Sequence, residues 1–187
     1  MKLDKRKFFG TILGSIMFLG VILALTYAYY EWKSDNTNVV LGIQDLATEC
    51  IKGANVNATK IGPVLNYQDG VTAEFSINNG LSTSKLIPLV LNITSISNNL
   101  LVDYFKYVLV VDINGGTNYN YTTPVATGNF ANFAKGSNNI ASIVVDGNSI
   151  YSYQFIVYID GNVKNDPNIQ NNSLKSNLVL GDCGAVS

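Results

Sequence analysis

Any chemistry done by this chain falls to carboxylates, amides, hydroxyls and two thiols, because its 187 residues include no histidine. Ser-His-Asp and Cys-His catalysis are thereby ruled out, as are imidazole metal sites and any side chain whose unperturbed pKa lies near neutrality. Glycoside hydrolysis needs only two carboxylates, one of them with a raised pKa, and Glu74, Asp103 and Asp112 could supply them. Nothing in their spacing selects a pair. The run Asp160-Gly161-Asn162-Val163-Lys164-Asn165-Asp166 offers oxygen ligands for calcium, but it lacks the bidentate Glu and the rest of an EF-hand, and a simple turn is the better reading. There is no Gly-rich phosphate loop, no C-x-x-C and no G-x-S-x-G. The residue inventory predicts no catalytic residue, no metal site and no cofactor.

The thiols have a structural use instead. Cys50 and Cys183 are far apart in sequence, and two cysteines on the external side of a membrane most often pair. A bond closing so long a loop is worth about 4 to 5 kcal/mol in the chain-entropy model. Sequons begin at Asn57, Asn92, Asn120 and Asn171, the acceptor pattern for N-glycosylation, although a chain rich in Asn and Thr produces such triplets by chance.

Export is read from the first thirty residues. Lys2, Lys5, Arg6 and Lys7 precede Phe8 to Tyr30, 23 residues without a charge. At about 1.5 Å per residue such a helix could cross a hydrocarbon layer of about 30 Å. The basic flank holds the start inside and sends the remainder outside. Thr26-Tyr27-Ala28 has the small-residue character of a signal-peptide cleavage site. The alternative is a retained anchor, with Tyr27, Tyr29, Tyr30 and Trp32 as an aromatic belt at the outer interface. From Tyr29 onward 8 lysines face 12 acidic residues, a net −4, which gives no general attraction for nucleic acid.

Beyond Trp32 helical periodicity stops. Apolar runs fall at Asn38–Ile43, Val71–Ile77, Ile87–Ile96, Tyr104–Asp112, Ile140–Val145, Tyr151–Asp160 and Leu174–Leu180, separated by Asn- and Gly-rich turns. This predicts an all-β domain, a jelly-roll or Ig-like antiparallel β-sandwich preceded by one N-terminal hydrophobic helix. Asp146-Gly147 predicts a hairpin. Alternation puts Tyr151, Tyr153, Phe155, Val157 and Ile159 on a core face, with Ser152, Gln154, Ile156, Tyr158 and Asp160 opposite. Phe105, Tyr107, Leu109 and Val111 share a face in the other aromatic strand. The expected organisation is 1–28 as signal peptide or anchor, 29–37 as linker or donor segment, and 38–187 as the extracellular domain.

The junction Ala24-Leu25-Thr26-Tyr27-Ala28-Tyr29-Tyr30-Glu31-Trp32, followed by Ser34-Asp35-Asn36-Thr37-Asn38-Val39, resembles that of the TasA and camelysin-like surface proteins of Gram-positive bacteria. In that family T-[YFW]-A precedes cleavage and an aromatic residue follows. Tyr158-Ile159-Asp160-Gly161-Asn162, with Pro167, Gln170 and Asn171 downstream, is similar to endings found in the same group. The resemblance implies a secreted or surface-held jelly-roll-like sandwich that assembles with copies of itself into fibres of a biofilm matrix. Tyr29, Tyr30 and Trp32 would then insert into the next subunit as part of a donated strand. Camelysin's protease activity does not carry over, since this chain has neither His nor H-E-x-x-H. Two other classes fit the sequence: an archaeal type IV pilin retaining its apolar helix after processing between Lys7 and Thr11, and a membrane-anchored adhesin or carbohydrate-binding module.

Overall fold

The computed structural model describes residues 17–19, 39–42, 51–162 and 172–181. Among the described residues the strands are β1 Val39–Gly42, β2 Ile51–Ile61, β3 Pro63–Val64, β4 Val71–Asn79, β5 Lys85–Ile96, β6 Phe105–Asp112, β7 Ala126–Asn129, β8 Gly136–Val145, β9 Ser149–Asp160 and β10 Asn172–Leu180. Two 3-10 turns, η1 Tyr67–Asp69 and η2 Asn98–Leu100, interrupt them. The larger sheet runs β1-β4-β9-β6-β7, with β3 also against β9, and the smaller runs β2-β10-β5-β8. Pairing is antiparallel except for β1 on β4 and β3 on β9.

The two sheets bury one shared core, as the alternation requires. Ala54, Val56 and Ala58 of β2, Leu89 and Leu91 of β5, and Leu174 and Leu178 of β10 meet Phe75 and Ile77 of β4, Phe105 and Leu109 of β6, and Tyr153, Phe155, Val157 and Ile159 of β9. The β-sandwich predicted from sequence is the architecture observed, and each predicted run lies on a strand. Tyr151 and Val111, at the ends of their strands, are only half-buried against this core.

Two expectations need correction. Asp146-Gly147 does not turn a hairpin: β8 pairs with β5 in the smaller sheet and β9 with β4 and β6 in the larger, so the turn is a corner between sheets. Its tightness has another cause, since a Cβ on Gly147 would stand 2.5 Å from the Ser82 backbone of the β4–β5 connection. The second correction concerns β9. Its supposed outward face is buried too, at Ser152, Gln154 and Ile156, because β9 is central in the larger sheet and the β6–β7 connection lies over it.

On the outer face of the smaller sheet, Asn55, Asn177, Asn92 and Ser137 form one cross-strand row through β2, β10, β5 and β8. Near the N-terminus Met17–Leu19 is helical. Among the described residues no helix is long and apolar enough to cross a membrane.

Candidate functional site

The outer face of the larger sheet is where polar and aromatic groups converge. Val108 and Val110 of β6 and Ile156 of β9 point away from the core and would meet water if uncovered. Tyr119 and Tyr121, on the strap 113–125 between β6 and β7, close over them as a second small apolar cluster, with Tyr67 and Tyr158 at its margin. The strap is fastened along β6, where the Asn120 amide donates to the Val111 carbonyl at 3.0 Å and the Val125 amide to the Leu109 carbonyl at 2.7 Å. Asp112, at the end of β6, accepts from the Asn114 and Asn118 amides, both at 2.9 Å. Those bonds, the one from Asn114 foremost, hold its carboxyl below the usual aspartate range.

Under the strap a polar relay crosses the sheet. The Tyr121 hydroxyl donates to Gln154 Oε1 at 3.0 Å, and Gln154 Nε2 donates to Glu74 Oε1 at 2.9 Å. Burial, with the Glu74 charge second, pushes the Tyr119 phenol up to about 12, so it stays protonated and neutral at physiological pH.

Beside the strap the face opens into a cleft of about 410 Å³, lined by Tyr67, Lys106, Val108, Pro124, Thr127, Asn129 and Tyr158, with Tyr107 and Gly128 completing the wall. Lys106 and Tyr158 are cross-strand partners on β6 and β9. Tyr67 arrives from η1, whose closing Gly70 sits so near β9 that a Cβ would lie 2.6 Å from the Val157 carbonyl. The Tyr67 hydroxyl donates to the Tyr121 carbonyl, and its ring lies 6.0 Å from that of Tyr158, tilted by 42°. Lys106 Nζ meets Asp160 Oδ2 at 2.7 Å, and the other Asp160 oxygen accepts from the Asn162 amide and side chain, both at 3.0 Å. The Lys106–Asp160 bond, partly opposed by desolvation, raises the Lys106 pKa and, as its largest cause, lowers that of Asp160. On the far wall, Gly128 faces Tyr107 across the β6–β7 pair, where any side chain would collide with the Tyr107 hydroxyl.

The residues singled out from sequence distribute unevenly. Thr26, Tyr27, Ala28, Tyr29, Tyr30, Trp32, Cys50, Asn171 and Cys183 lie outside the described residues. Asn57 is exposed on β2, Asn92 half-buried in the middle of its sheet, and Asn120 exposed on the strap, its side-chain oxygen accepting from the Thr122 and Thr123 amides. Glu74 and Asp112 share the outer face, but each is held by the partners already given, and Asp103 is exposed ahead of β6. Glu74 on β4 and Asp112 on β6 have β9 between their strands. The Asp160 carboxylate serves the ion pair and the turn at Asn162, as the turn reading expects. The cleft residues Tyr67, Thr127 and Asn129 had no sequence signal, because they come from a 3-10 turn and a four-residue edge strand. Lys106 and Tyr158 had one: a lysine and a tyrosine at outward positions of the two most aromatic strands.

No protein-family model matches the chain, and no curated protein matches it. Among solved structures it is similar to the pre-peptidase C-terminal domain of a collagenase from Bacillus anthracis, at 16% identity and TM-score 0.33, covering 79% of this chain and 96% of that one. It is also similar to a xylan-binding module, at 8% identity and TM-score 0.37, covering 71% and 95%. A third is the infectious bursal virus T=1 particle, at 17% identity and TM-score 0.39, covering 71% of this chain and 30% of that one. The sandwich assignment stands on the strand pairing itself.

Proposed function

We propose that the chain is an exported structural protein of the cell surface or extracellular matrix, whose N-terminal segment Tyr29–Gly42 joins copies by completing a sheet edge in a neighbour. The observation that carries the reading is β1. It lies parallel on β4 through four register pairs, Val39 with Phe75 to Gly42 with Asn78, as an added edge strand in an otherwise antiparallel neighbourhood. Without it β4 presents an open row of backbone donors and acceptors. Four pairs make a weak attachment, of the kind that opens locally at little cost. Replacing it with the same strand from another copy conserves every hydrogen bond, and burial of Tyr29, Tyr30 and Trp32 in the recipient tips the balance toward exchange. A head-to-tail contact of this kind need not close, so it propagates as a filament.

The test is assembly of chains beginning at Tyr29, at Asn38 and at Ile51, followed by electron microscopy and light scattering. The first should polymerise and the second remain monomeric. The third, with its β4 edge open, should bind a synthetic 29–42 peptide. If the Tyr29 and Asn38 chains are equally monomeric, or polymerise equally well, the reading is wrong. Mass spectrometry of native material locates the mature N-terminus: Tyr29 for the exported subunit, the region Phe8 to Thr11 for a pilin, an intact start for an anchored adhesin.

A further inference from the structure

We infer that the cleft between strap, η1 and β7 is a binding site for a neutral pyranose, taking one or two sugar rings at the end of a glycan. Its size points to a small ligand, since about 410 Å³ falls at the low end of the range for small-molecule sites. Its chemistry points to a sugar, which presents apolar C–H faces and equatorial hydroxyls that both donate and accept. Tyr67 and Tyr158 form an aromatic wedge, half-exposed and tilted, that offers ring faces to C–H groups. Beside it Lys106, a lining residue held at 2.7 Å by Asp160 behind it, offers a charged donor to a sugar hydroxyl. Across the cleft the exposed side chains of Thr127 and Asn129 can meet hydroxyls from the other edge of the ring.

Charge decides against an anionic ligand such as a phosphate or uronate. Lys106 is the cation lining the cleft, and it is already paired with Asp160, while Asp103 adds a second negative charge in its field. A phosphate would have to displace one carboxylate and face another. Preorganisation favours binding as well: Tyr67 is tethered through its hydroxyl to the strap backbone, and η1 is wedged against β9 at Gly70, so little ordering remains to be done when a ligand enters.

The experiment uses the full chain in a zwitterionic detergent, so that no sugar headgroup competes. Probes are a printed array of neutral mono- to tetrasaccharides with uronate and sugar-phosphate controls, followed by NMR titration of the best binder with tyrosine ring signals as the readout. Expected is binding to neutral glycans only, with shifts at Tyr67 and Tyr158. Tyr158→Ala and Lys106→Met should each weaken it at least tenfold, and Tyr158→Phe, which keeps the ring, by less than threefold. Unchanged amide spectra outside the cleft show that each variant folds. No binding across the array, equal binding of the charged controls, or affinity indifferent to Tyr158→Ala and Lys106→Met in folded protein would each overturn the assignment.

Discussion

Asn79 ties one end of the sandwich together, and replacing it should cost about as much stability as a core truncation of similar size. It is fully buried at the end of β4. Its amide nitrogen donates to the Thr83 carbonyl at 2.9 Å and to the Val145 carbonyl at 3.0 Å, and its oxygen accepts from the Leu81 amide at 3.1 Å. One side chain therefore fixes the β4–β5 turn and clamps it to the end of β8, in the other sheet. In Asn79→Ala the buried Val145 carbonyl loses its side-chain donor, at about 1 to 3 kcal/mol, and two part-buried bonds go at about 0.5 to 1.5 kcal/mol each. Side-chain freedom regained on unfolding no longer opposes folding and returns about 1 kcal/mol. The net loss is about 3 kcal/mol, which at a urea slope of about 2 kcal/mol/M lowers the midpoint by roughly 1.5 M.

Asn79→Asp sharpens the test because it keeps shape while reversing one group. An ionised carboxylate would point an acceptor at two carbonyls, so this variant should be less stable than Asn79→Ala at pH 7. Burial and the facing carbonyls raise its folded pKa above the unfolded value, so folding takes up a proton and the deficit shrinks as pH falls through that raised value. Urea melts at pH 7 and pH 5 measure both effects. A loss below about 1 kcal/mol for Asn79→Ala, or an aspartate variant matching wild type at pH 7, would refute the clamp.

Gly147→Ala should destabilise by a few kcal/mol, because its Cβ would press on the Ser82 backbone at 2.5 Å rather than on a movable side chain; thermal melts of this variant beside Gly80→Ala, where nothing lies within 4 Å, give the contrast. Asp112 has a folded pKa below its usual value, so its contribution is present above the ordinary aspartate range and lost as pH falls through the folded pKa. Asp112→Asn should therefore flatten the acid limb of the stability curve, and an unchanged acid limb would show that the strap needs no such anchor. The register sets Ile51 of β2 opposite Leu180 of β10 at one end of the smaller sheet. A Cys50–Cys183 linkage should thus appear in a non-reducing peptide map, worth about 5 kcal/mol, and two freely alkylated thiols would exclude it.

Apolar runs made seven strands legible, since β4, β5, β6, β8, β9 and β10 carry alternating Val, Ile, Leu and aromatics, and Val39-Val40-Leu41 marks β1. Strand β2 was hidden for a specific reason. Its inward residues are the small Ala54, Val56 and Ala58, and its outward ones are Asn55, Asn57 and Thr59, so it reads as turn chemistry. Many of the asparagines that suggest loops are instead outward strand positions, as in the row Asn55, Asn177, Asn92 and Ser137. The four-residue β7 and two-residue β3 are too short for any period to register. Periodicity also cannot say that a strand is central, and so the second buried face of β9 was unreadable: Ile156 needs Tyr119 and Tyr121 above it, and they come from a strap with no pattern of its own.

Strand order links the two proposals. In the larger sheet β1 covers the β4 edge, whereas the cleft lies over β9, β6 and β7, toward the opposite edge. Exchange of β1 between copies would therefore leave every cleft open, and a filament would carry one per subunit. Weak sites repeated along a filament bind a polymeric ligand far more tightly than one alone, by about 10² to 10⁴ where geometry permits. The Tyr29 chain, once polymerised, should thus be retained on an immobilised neutral polysaccharide at concentrations where the Asn38 chain washes off, and Tyr158→Ala should abolish retention without preventing polymerisation. Equal retention of monomer and polymer would show that the clefts do not act together. Polymer held as firmly with Tyr158→Ala would show that another surface does the holding.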